Sequence, residues 1–222
     1  MSDAFSFQAL RRFPDLEADN LVAADATDRL ALTQAGTAIA ASAPGQVVVV
    51  ADRYGAMTLG AMELHGARDV RVHQDSLTGE QALAHNAIRA GLTQGFRPLP
   101  LTQELFTGAT VVIGQLPKSL EALREITQLA AAHAADDVTV FLGGRVKHMT
   151  HAMNDVMGTA SPTCGPASRT RSPASWLLAG YSAHARAWGV LGVWWSCILI
   201  VVGWGRRRAV AGCWLVAVVV RG

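Results

Sequence analysis

The feature that most constrains this chain is a set of short, uninterrupted apolar runs separated by helix-length segments. Val47–Ala51 reads VVVVA, Val111–Ile113 sits inside ATVVIGQLP, and Val138–Leu142 reads VTVFL. A strand with one wet face alternates apolar and polar residues. A run that is apolar at every position must be covered on both sides, as in the centre of a parallel sheet. The intervening segments are long enough to be those covers. Helices are predicted over Ala23–Ala43, Ala56–His65, Leu77–Gly91 and Leu120–Ala135. In the third of these Leu83, Ala84, Ala87 and Ile88 recur at helical spacing, and in the last Leu120, Leu123, Ile126 and Leu129 do so. DVRVHQD, Asp69–Asp75, reads as a further short strand. RPLPL reads as an edge strand, because proline cannot donate to a central ladder. Alternation of this kind predicts an α/β fold, a Rossmann-like doubly wound and mostly parallel sheet with right-handed crossovers.

The pattern stops near residue 157, and composition shows why. Residues 1–155 hold all 17 acidic residues and 12 of the 19 Lys and Arg. Residues 156–222 hold the other seven, all Arg, and no acid. The chain's formal charge of +2 therefore describes neither part. The acidic first part offers no broad basic face, so contact with nucleic acid has to be local. Cys164, Cys197 and Cys213 have no paired short spacing and suggest neither a zinc site nor a disulfide framework. The opening MSDAFSFQALRRFPD has no long apolar segment, so no secretory signal is expected and the first part reads as cytoplasmic. We divide the chain into a domain at 1–157 and a tail at 158–222.

In open α/β sheets ligands sit beyond the carboxyl ends of the strands. Four such ends matter here: Asp52–Ala56, Asp75, Gln115–Lys118 and Gly143–Lys147. Asp52, the turn glycine Gly55 and Asp75, 23 residues beyond Asp52, have the layout of a cofactor site, the second acid standing where a ribose hydroxyl would bind. The detail then fails. A cofactor loop of the acid-x-Gly-x-Gly kind needs glycine at 54 and 56, so that a ligand can approach the backbone. This chain has Tyr54 and Ala56. Neither G-x-G-x-x-G nor the phosphate loop G-x-x-x-x-G-K-[ST] is present. The expectation is a vestigial site with no cofactor bound. At the fourth strand end, Gln115-Leu116-Pro117-Lys118 stands where amino-group methyltransferases carry Asn/Asp-Pro-Pro-aromatic. No catalytic residue is expected in this chain. His148 and His151 are three apart but lack a third ligand, so no metal site is expected.

The segments LRRFPDLEADNLVAADATDRLAL, VVVVADRYGAMTLGA and VVIGQLPKSLEALREITQLAAAHAADDVTVFLGGRVKHMTHAM resemble, in that order, the N-terminal half of tandem-domain ribosomal RNA guanine-N2 methyltransferases. The resemblance spans about residues 8–157. It implies a degenerate methyltransferase fold that assists folding and RNA recognition. S-adenosylmethionine binding and Asn-Pro-Pro-Phe catalysis would belong to a second domain, which nothing after Gly158 resembles. Ribosomal RNA is the implied partner, and Arg12, Arg53, Lys118, Arg145 and Lys147 are the candidate phosphate contacts. A rival expectation is a self-sufficient S-adenosylmethionine enzyme using Asp52 and Asp75.

The tail supports a third expectation, a membrane-anchored α/β module. Ala187–Gly205 is nineteen residues without charge, bounded by Arg186 and Arg206-Arg207-Arg208, and fits a single transmembrane helix. Otherwise the tail should be irregular. From Gly158 onward Asp, Glu, Lys, Asn, Gln, Phe and Met are all absent. An out-of-frame reading of a GC-rich gene gives such a composition, and it is favoured over an evolved anchor.

Overall fold

A computed structural model of the chain describes residues 5–145, 148, 150–159, 195–207 and 210–221. The first long helix, α1 (Ala26–Ala41), begins three residues later than its apolar content suggests. The reason is a capping box. The Asp25 carboxylate accepts from the amides of Thr27 and Asp28, and the Asp28 carboxylate accepts from the Asp25 amide.

Strand β1 (Val47–Val50) is buried at every position. Val47 and Val49 join the core beneath α1, α2 (Ala56–His65) and α3 (Leu77–Ala90). Val48 and Val50 join the opposite core, beneath α4 (Gln103–Phe106), α5 (Leu120–His133) and α6 (His151–Thr159). Each fully buried valine contributes roughly 1.5–3 kcal/mol, which is why the run tolerates no polar residue. Helices on both faces make the sheet doubly wound, as expected.

The other strands are β2 (Val70–His73), β3 (Phe96–Pro98), β4 (Val111–Gln115), β5 (Thr139–Arg145), β6 (Trp195–Arg207) and β7 (Val210–Arg221). Their order is β3-β2-β1-β4-β5-β6-β7. The first five run parallel. Pro98 lies in edge strand β3, where its missing N–H costs nothing. The chain leaves β1 towards β2 and β3, then returns to place β4 and β5 on the other side. The switch point is thus the crevice at the carboxyl ends of β1 and β4, flanked by Asp52 and Gln115.

The tail corrects an expectation. Over residues 195–205 the predicted membrane helix is strand; residues 187–194 lie outside the described residues. β6 pairs antiparallel with β5, and β7 antiparallel with β6. The sequence contains the cause: Ile198, Ile200, Val201 and Val202 are β-branched, and β5 otherwise ends the sheet in a row of unpaired backbone groups. Nor are these segments irregular, the other expectation for the tail. Among the described residues no helix is long and apolar enough to cross a membrane.

Candidate functional site

Asp52 follows β1 and is buried to 1% exposure. Its Oδ1 accepts from the Met57 amide at 3.2 Å and its Oδ2 from the Thr58 amide at 2.7 Å. The first turn of a helix leaves amides unpaired, and in a cofactor site they are free to meet a ligand. Here the chain's own acid takes two of them. Burial pushes the Asp52 carboxyl up, against the pull of those amides. Gly55 is the N-cap of α2, at φ 89°. A Cβ there would stand 2.7 Å from Leu83 Cδ1. Glycine is therefore needed for the left-handed turn and for α3 to pack closely over it.

Tyr54, the residue expected to obstruct the loop, is itself clamped. Residues 10–17 form a strap across the turn and α3. Asn86 Nδ2 donates to the carbonyls of Tyr54 and Arg11, both at 2.8 Å, and its Oδ1 accepts from the Arg11 amide at 2.9 Å. The Tyr54 hydroxyl donates to Asp15 Oδ2 at 2.5 Å. Arg12 lies over the Tyr54 ring, 4.7 Å from its centroid, and pairs with Asp15 at 2.9 Å. Arg12 Nε also donates to the Leu16 carbonyl at 2.8 Å. The hydroxyl of Tyr54 chiefly holds the Asp15 carboxyl below its ordinary value, while burial, then Asp15, raises the phenol. Arg12, one of the RNA-contact candidates, is a bracket of the strap.

At the other side of the switch point Gln115 is buried, and its Nε2 donates to Asp28 Oδ1 at 2.7 Å. The amide that stands at the target-amine position is turned inward and spent. Sequence reading did not single out Asp28; its one signal was the acid three residues after Asp25, which marks a helix start. Burial chiefly, then the charges of Asp25 and Asp52, push the Asp28 carboxyl up to about 7.

Asp75 does not join Asp52 and Gly55 inside the site. Its side chain is 89% exposed, with Oδ1 3.1 Å from His73 Nε2, while His73 Nδ1 meets the Leu99 carbonyl at 3.0 Å. The exposed cations do share an edge. Arg53 and Lys118 follow β1 and β4, and Arg145 is the last residue of β5, three adjacent parallel strands about 4.8 Å apart. Among the described residues they make no ion pair. Lys147 lies outside the described residues. His148 is exposed and His151 is the first residue of α6; among the described residues no three His, Cys, Asp or Glu cluster for a metal ion.

The "Ribosomal RNA large subunit methyltransferase G" of Pseudomonas putida strain GB-1 is 32% identical over 149 residues, covering 67% of this chain and 39% of the relative. The protein of the same name from Magnetococcus marinus strain MC-1 is 30% identical over 150 residues, covering 66% and 38%. The chain thus spans about two-fifths of the length of these curated relatives. A crystal structure of a SAM-dependent methyltransferase from Agrobacterium tumefaciens superposes with TM-score 0.53 at 14% identity, over 64% of this chain and 52% of that one. That likeness concerns the fold alone. The sequence model of the RLMG N-terminal domain matches residues 1–169, and the chain belongs to that family.

Proposed function

We propose that this chain is the non-catalytic, RNA-recognising part of a ribosomal RNA methyltransferase. It would present RNA to a catalytic domain outside this chain and support that domain's folding. One observation carries the reading: the groups that would receive S-adenosylmethionine are consumed internally. Asp52 holds the α2 amides, Leu83 stands against Gly55, and Tyr54 is fastened to Asp15 and Arg12. The edge bearing Arg53, Lys118 and Arg145, joined by Lys147 in the sequence, is the proposed phosphate contact, because these cations are exposed and side by side in the strand order. Residues 1–157 are the proposed functional unit, working in the cytoplasm on ribosomal RNA, with β6 and β7 added at the β5 edge.

Isothermal calorimetry on the full chain tests the first half: no saturable heat is expected with S-adenosylmethionine at micromolar concentration. Micromolar binding lost on Asp75→Ala would overturn it in favour of a self-sufficient enzyme. For the second half, Lys118→Ala/Arg145→Ala should weaken binding to ribosomal RNA fragments and flatten its salt dependence.

A further inference from the structure

The strap carries a second surface that the strand-end cations do not explain. Phe13 is 55% exposed, although the residues around it are firmly held. Arg11 is bound at both its amide and its carbonyl by Asn86, and Arg12 is fixed by Asp15, Leu16 and Tyr54. The Phe13 ring is thus an anchored side chain left in water. It meets His85 of α3 edge-on, with centroids 4.9 Å apart and planes at 60°. His85 is exposed too, and Ile88, three residues along the same helix face, is 66% exposed.

Three exposed cations neighbour this aromatic pair along the strap, the turn and α3. Arg11 precedes it in the strap, and Arg89 lies one turn beyond His85. Arg53 adjoins the Tyr54 that the strap grips. All three are exposed and make no ion pair among the described residues. Of the strap's acids, Asp15 pairs with Arg12, while Glu17 keeps its charge and accepts from the Arg12 amide. A protein-docking face would be continuous apolar surface; here exposed arginines neighbour the exposed rings in the sequence and along α3. That combination suits a nucleotide, whose base offers a flat face and whose phosphates are anionic.

We propose that Phe13 and His85 form a stacking platform for an unpaired RNA base, with Arg11, Arg53 and Arg89 receiving the flanking phosphates. The proposal rests on the RNA-recognition reading and specifies its substrate: a single-stranded segment, not a duplex. The platform is preorganised, because Asn86 and Tyr54 hold the strap before RNA arrives.

The test measures anisotropy of labelled twelve-nucleotide RNAs with the full chain. Phe13→Ala should weaken single-stranded RNA about five- to twentyfold, with duplex binding unchanged and the melting temperature preserved. Phe13→Trp should restore affinity. Replacing the central nucleotides by abasic sites should erase the difference between wild type and Phe13→Ala. Single-stranded affinity within twofold of wild type for Phe13→Ala, or equal losses on single strand and duplex, would overturn the platform. If Lys118→Ala/Arg145→Ala still weakens RNA in that case, the broader RNA reading survives. Failure of the wild-type chain to bind any RNA would remove both.

Discussion

Replacing Asp28 by asparagine should reverse the chain's pH dependence of stability at one site. The Asp28 carboxyl is buried to 3% exposure, caps the Asp25 amide and accepts from Gln115, with Asp25 and Asp52 as its charged neighbours. These surroundings raise it from its ordinary 3.8 to about 7. Between those values the folded chain binds a proton that the unfolded chain has released. Stability from this group is therefore full below pH 4, falls as pH rises, and is exhausted above pH 7. At 1.36 kcal/mol per unit, the three-unit window gives a ceiling of about 4 kcal/mol. The substituted amide cannot titrate. Its carbonyl still accepts from Gln115, but the Asp25 amide loses its acceptor, at about 1 kcal/mol. Asp28→Asn should thus be about 1 kcal/mol less stable than wild type at pH 3, where the carboxyl is protonated in both states, and up to about 3 kcal/mol more stable at pH 8. Urea unfolding of the full chain at both values, followed by circular dichroism, measures the crossover. An Asp28→Asn difference of the same sign and size at both pH values would refute the reasoning.

The same residue shows where sequence reading reaches and where it stops. The sheet was legible because burial on both faces leaves an unmistakable imprint, four consecutive valines in β1 and a hydrophobic triplet in β4. Proline likewise sends β3 to the edge. The failed glycine test was legible too, since Tyr54 and Ala56 are read directly. What replaces the ligand was not. Asp28 and Gln115 are 87 positions apart, and Asn86 lies 75 from Arg11. Nothing local links such pairs; only the crossing of α1 over β4 and of the strap over α3 brings them together. The place of Arg12 in the strap was hidden for the same reason, because an arginine in an exposed-looking segment gives no hint of an aromatic ring and a carboxylate beside it. In the tail, length and charge-free composition suggested a helix, while the free edge of β5 was invisible until the sheet existed.

The remaining predictions probe the strap, the core and the closed turn. Asn86→Ala removes the donor to two carbonyls and the acceptor for the Arg11 amide, and should expose residues 10–17 to proteolysis while costing about 2–3 kcal/mol; an unchanged cleavage pattern would show the strap is held otherwise. Val49→Asp places an unpaired carboxylate at a fully buried position and should lower stability by roughly 3–5 kcal/mol, read as a large fall in melting temperature. Restoring glycine at both failed positions, Tyr54→Gly with Ala56→Gly, should not create a site for S-adenosylmethionine. The double change frees Asp15 and unseats Arg12, yet Leu83 still stands against Gly55, and Asp52 still occupies the amides of Met57 and Thr58. Asn86 can also still bond the backbone carbonyl at position 54. Calorimetry should find no saturable cofactor binding and a lowered melting temperature, since helix glycine and a lost clamp both destabilise. Micromolar binding in this variant, removed again by Asp75→Ala, would mean that the tyrosine alone had closed the site and that the turn beneath it remained competent.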